Sequence, residues 1–150
     1  MIEQVLGSND FQLMMKRHAT ELMEMLLKKG VHFSVLTNIA DISFSPELPE
    51  HITQGFKPIT MFFLAGYTFE STQIYNGVLS FEAGFGSDNF GSLVSIPVES
   101  VLQVILEEIP IFINLANPPK VKKTSPKEHG AKRSMDALLS NPQNKNLLKN

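Results

Sequence analysis

Residues 76–104 read NGVLSFEAGFGSDNFGSLVSIPVESVLQV, and the punctuation of this stretch sets the fold. Asn76-Gly77 suits a two-residue hairpin turn, because both residue types tolerate positive φ. The run Val78 to Phe85 that follows is strand-like. A Gly/Asn/Asp/Ser cluster from Gly86 to Gly91 makes a second reversal, and Leu93 to Ile96 is strand-like again. At Pro97 the period changes. Val98, Val101, Leu102 and Ile105 recur at helical spacing, proline suits a first helical turn, and Glu99 complements the helix dipole there. The grammar is strand, turn, strand, helix, with a sheet at the centre. Pro110 ends the expected helix, Glu107-Glu108 form its solvated end, and Ile111 to Leu115 reads as a last short strand.

Upstream, residues 1–9 read as a loose lead-in. Asn9 or Asp10 can cap a helix over Phe11 to Lys29, closed by Lys28-Lys29-Gly30: cations at the negative end, then a glycine for the left-handed cap. Phe11, Met14, Met15, Leu22, Met23, Met25, Leu26 and Leu27 form a wide apolar stripe, which either caps the sheet or makes a helix–helix contact between subunits. Val31 to Leu36 reads as a strand, and Asp41 to Phe44 as its extension or a second one. The prolines of Ser45 to His51 break regular structure. Ile59 to Phe63 is a continuous apolar run, expected to be a strand buried on both faces, with a bend or bulge at Ala65-Gly66.

Apolar content of 43% and charged content of 19% fit a soluble globular chain. The longest uncharged runs are about a dozen residues, against the roughly 18 a membrane helix needs. No basic residue precedes Lys16, unlike a secretory signal, so a cytoplasmic location is expected. Absence of cysteine excludes disulfides and thiolate chemistry. Charge is split: residues 1–117 carry 5 basic and 13 acidic residues, a net of −8, and residues 118–150 carry 8 basic and 2 acidic, a net of +6. An acidic body repels phosphate backbones, so nucleic-acid binding by the folded part is not expected. The organisation read from this is a domain over residues 1–117 and a flexible basic tail over 118–150.

Gly86-Ser87-Asp88-Asn89-Phe90-Gly91-Ser92 has GxxxxG spacing, but Ser92 stands where a phosphate loop needs lysine, and the segment joins two strands. His18, His32, His51 and His129 lack metal-ligand spacing. No nucleophile elbow or assignable triad is present. Nothing here supports an enzyme, a metal or another cofactor.

Phe81-Glu82-Ala83-Gly84-Phe85-Gly86, then Val94-Ser95-Ile96-Pro97 running into Val101-Leu102-Gln103-Val104, resembles the stringent starvation protein B (SspB) family of bacterial adaptors, which carry tagged proteins to the ClpXP protease. The order of elements over about Leu22 to Leu115 is similar too. The resemblance implies an α+β protein, mainly β: an N-terminal helix packed on a small, open, Sm-like barrel, dimeric through that helix. It implies a groove for degradation-tag peptides bordered by Phe63, Leu64, Ala65, Ala83, Gly84 and Phe85. It also implies that Leu147-Leu148-Lys149, at the end of the tail, dock on the ClpX unfoldase. Members of the family carry an arginine where Gly84 stands, a shorter turn than Ser87 to Gly91, and often an acidic tail. Two other readings fit the residues: an Sm-like RNA-binding module with its basic tail as the contact, and a non-catalytic assembly protein that dimerises through the Met-rich helix.

Overall fold

Asn76 and Gly77 take φ values of 52° and 74° in the computed structural model, which describes residues 1–116, and they close a hairpin in which Tyr75 faces Val78. Positive φ at both central positions is what the right-handed twist of the flanking strands requires. In chain order the elements are helices α1 (Ile2–Leu6) and α2 (Asn9–Lys29), strand β1 (Phe33–Asn38), a 3-10 turn (Ile39–Asp41), β2 (Ser43–Ser45) and α3 (Glu50–Thr53). There follow β3 (Ile59–Leu64), α4 (Gly66–Glu70), β4 (Gln73–Tyr75), β5 (Val78–Phe85) and β6 (Phe90–Pro97). A second 3-10 turn (Val98–Ser100), β7 (Val101–Leu106) and β8 (Ile109–Ile113) complete the described chain. The fold is α+β, with two antiparallel four-stranded sheets in the orders β3-β1-β7-β8 and β2-β6-β5-β4.

The chain passes from one sheet to the other at each 3-10 turn, from β1 to β2 and from β6 to β7. Ser100 of the second turn donates its hydroxyl to Asp41 Oδ2 of the first at 2.9 Å. Between the sheets lies one apolar cluster, in which Phe62 and Phe81 meet at 5.6 Å between ring centroids. Phe81, fully buried, contributes on the order of 2–3 kcal/mol from burial alone. Helix α2 closes this cluster with Ala19, Met23 and Leu26. Ser8 caps it, accepting from the Phe11 amide at 3.2 Å, one residue before the expected Asn9, and Gly30 ends it at φ 71°. Of the apolar stripe, Met23 and Leu26 are buried, Phe11, Met15, Leu22 and Leu27 half-buried, and Met14 and Met25 exposed. Lys16 of α2 reaches Glu99 Oε2 at 3.2 Å and fixes the helix to the second 3-10 turn.

Five expectations need correction. The segment after Pro97 is not a helix: after one 3-10 turn it runs as β7 between β1 and β8. The strand is central and bulged against both neighbours, so strict alternation is lost and its apolar spacing mimics a helix. Glu107-Glu108 are accordingly a hairpin turn with φ of 50° and 74°, not a helix end. Pro110 lies inside β8, tolerated because β8 is an edge strand. Strand β3 is an edge strand as well, so only Phe62 and Leu64 are buried while Met61 and Phe63 are exposed. Finally, short helices replace irregular chain at α1, α3 and α4; the last begins where a bulge was expected at Ala65-Gly66.

Candidate functional site

Strand β4 is three residues long and pairs with β5 only as far as Ser80. From Phe81 to Phe85, β5 therefore has a strand on one side only, that of β6. On the open side the Glu82 amide donates to Ser71 Oγ at 2.9 Å, at the end of α4. Backbone groups alternate in direction along a strand, so those of Gly84 point to the same open edge.

The outward face of this sheet carries the pairs Glu82↔Leu93 and Gly84↔Gly91. Two glycines opposite one another contribute no side chain of their own to the floor. Above it opens a trough of about 460 Å³, walled on one side by Tyr67 and Thr68 of α4 and on the other by Ser45 and Pro46 after β2. Ser92 Oγ donates to the Pro46 carbonyl at 2.8 Å and holds that second wall to β6. The Asn89 carboxamide stands where a Cβ on Gly84 would lie. Asn89 is placed there by the β5–β6 turn, in which Gly86 and Asn89 both have positive φ.

Among the described residues, Glu82 is the one charged side chain lining the trough. Tyr67 donates its hydroxyl to Glu82 Oε2 at 2.7 Å. That hydrogen bond foremost, with the negative charges of Glu82 and Glu70, raises the Tyr67 pKa above its ordinary value of 10.0. The site is thus a glycine-floored channel with an exposed phenol and a single carboxylate at one wall. Its groups can hold a main chain and bind a cationic or hydrogen-bond-donating side chain.

The residues expected to border one groove divide between two hollows. Ala83 and Gly84 line the trough. Phe63, Leu64 and Ala65 line a second cleft of about 230 Å³ with His32, Ile105 and the Glu107-Glu108 turn. Phe63 is 71% exposed there, whereas Leu64 is fully buried in the core. Phe85 lies in neither: its ring packs edge-on to Phe44 at 5.7 Å and Phe56 at 6.1 Å, tying the α3 loop to the end of β5. Leu147, Leu148 and Lys149 lie outside the described residues. Sequence reading missed Tyr67, Glu82, Asn89, Gly91 and Leu93. Alternation from Phe81 gives the outward direction of Glu82, and pairing across the turn then gives Leu93 and Gly91; nothing in the sequence points to Tyr67.

Comparison of the chain with protein-family models, with curated proteins and with solved structures finds no match. Among the described residues, no three His, Asp or Glu side chains converge to hold a metal ion, and no helix is long and apolar enough to cross a membrane.

Proposed function

We propose that this protein is a non-enzymatic, SspB-like adaptor of the bacterial cytoplasm, binding extended peptide segments of client proteins and delivering them to ClpXP. The trough floored by Gly84 and Gly91, beside the open edge of β5, carries this reading. Extended peptides take affinity from main-chain hydrogen bonds and specificity from alternate side-chain pockets, and a floor without Cβ atoms lets a backbone approach closely. Two bent sheets around one core, joined at two tight corners, are compatible with an open Sm-like barrel. Ala83 and Gly84 are the peptide-contacting residues of this proposal, with Phe63 and Ala65 at a neighbouring subsite and Leu64 and Phe85 supporting them from beneath. A homodimer through α2 belongs to the same proposal, with Met14 and Met25 as its exposed apolar contacts. Leu147-Leu148-Lys149 are the ClpX-docking residues, acting by tethering.

The test uses the full chain with its own ClpXP. Client proteins retained by the chain in the presence of the unfoldase are identified by their terminal peptides, and their degradation is timed with and without the chain. Delivery appears as a lower apparent KM, and deletion of residues 147–150 restores the unassisted KM without changing peptide affinity, since tethering acts through local concentration. If no retained client is degraded faster, the adaptor reading fails. If the deletion leaves KM low, the docking residues lie elsewhere.

A further inference from the structure

We infer that the trough selects peptides by a basic side chain, lysine or arginine, seated against Glu82 and Tyr67; this rests on the peptide-binding reading above. Among the described residues, Glu82 alone brings a charge to the trough, and it is negative. Glu82 is exposed, its side chain accepts from the neutral hydroxyl of Tyr67, and among the described residues no lysine or arginine pairs with it. A carboxylate without a counter-ion at the wall of a channel favours a cationic ligand and disfavours an anionic one.

Tyr67 adds a second attraction. The residue is 66% exposed beside that carboxylate, and an ammonium or guanidinium group drawn to Glu82 comes within reach of the ring face. Arginine is the better fit of the two, because its planar fork matches a carboxylate and stacks on an aromatic ring. The Tyr67 pKa is raised first by its hydrogen bond to Glu82 and then by negative charge, to which Glu70 contributes from the end of α4. The rest of the trough's described lining is uncharged, and its floor is open at Gly91, where even a Cβ would meet nothing within 4 Å. The recognised segment therefore has one basic residue among neutral neighbours, and a free carboxylate or an acidic residue at that place excludes it.

The full-length protein, immobilised, is panned against a library of random heptapeptides displayed on phage, in parallel with Glu82→Gln. Wild type enriches peptides with Arg or Lys at one register, whereas Glu82→Gln retains peptides without that bias. Synthetic versions of an enriched peptide, read by fluorescence anisotropy, lose roughly tenfold in affinity when the basic residue becomes Ala. The difference shrinks as salt is raised, since an exposed pair is screened. Peptides enriched without basic bias, or with acidic residues, overturn the inference and leave peptide binding standing. A basic bias that persists in Glu82→Gln also overturns it, by placing the charge contact elsewhere. If no peptide is enriched over the bare support, the peptide-binding reading falls and takes this inference with it.

Discussion

Gly84 of β5 and Gly91 of β6 are direct cross-strand partners on the outward face of their sheet, and they differ in what surrounds them. A Cβ on Gly84 would meet the Asn89 carboxamide, while a Cβ on Gly91 would meet nothing within 4 Å, and its φ is not in the left-handed region. Gly91→Trp should therefore fold as the wild type does, with stability changed by no more than about 0.5 kcal/mol, and should fill the trough. Peptide binding should be lost while the denaturation midpoint stays put. Gly84→Ala should displace Asn89 and weaken binding less. A Gly91→Trp protein that folds and binds peptide with wild-type affinity would show that ligands do not use this floor.

The Tyr67–Glu82 hydrogen bond sets a titration. Tyr67 and Tyr75 are the two tyrosines of the chain, so in Tyr75→Phe the near-ultraviolet tyrosinate signal belongs to Tyr67 alone. Its midpoint should lie above 10.0, and Glu82→Ala should lower it towards that value by removing acceptor and charge together. The sign follows from which form is favoured. A raised pKa in the folded state means that the neutral phenol is stabilised, so any contribution of this contact to stability is present below pH 10.0 and is lost as pH rises through the raised value. An unchanged midpoint in Glu82→Ala would mean that the hydrogen bond is not held in solution.

The turn Glu107-Glu108 puts two residues with side chains into left-handed backbone, at φ 50° and 74°. Left-handed conformation costs such residues about 1–2 kcal/mol each. Asn-Gly is the natural occupant of a turn of this type, as residues 76–77 illustrate. The double change Glu107→Asn, Glu108→Gly should raise stability by about 1 kcal/mol, measurable as a higher urea midpoint with unchanged slope. A fall in the midpoint would indicate that the glutamates make compensating contacts.

Along α2, Met23 is fully buried and Met25 is 44% exposed. Met23→Glu should unfold the domain, because a buried carboxylate without a partner is costly. Met25→Glu should leave the circular dichroism spectrum unchanged and convert the proposed dimer to monomer in sedimentation velocity. Wild type that already sediments as a monomer at micromolar concentration would remove the dimer from the proposal.

Hairpins with Gly or Asn at the turn were legible from residue types alone: Asn76-Gly77, the Gly86–Asn89 reversal, and the Gly30 helix stop all follow from φ preferences that few residues share. What was illegible lay where tertiary contacts overrule a local signal. Val98 to Ile105 fits a helix by spacing, yet the same residues satisfy a bulged central strand, and only the neighbours β1 and β8 decide between them. The β7–β8 turn carries glutamates, which announce no hairpin. The family resemblance puts Phe63 and Phe85 at one groove. Phe63, however, sits on the outward face of an edge strand, and Phe85 turns inward and packs edge-on against Phe44 and Phe56, a partition set by which face each strand turns to the core. Tyr67 reaches the trough only through the short helix after β3, so its role rests on a turn that the sequence did not disclose.

The hydroxyl of Ser100, bonded to Asp41, links the two 3-10 corners at which the chain passes between sheets into a single joint. Opening at residues 39–41 has to loosen 98–100 as well, so amide exchange at the two corners shares one opening event. Strand β2 leaves the first corner and β6 enters the second, and both supply the Ser45–Pro46 and Gly91–Leu93 side of the trough. That wall is therefore set before any ligand arrives. A peptide held there, as proposed, would lie between a wall braced by that joint and a second one carried separately, by Tyr67 on the short helix α4.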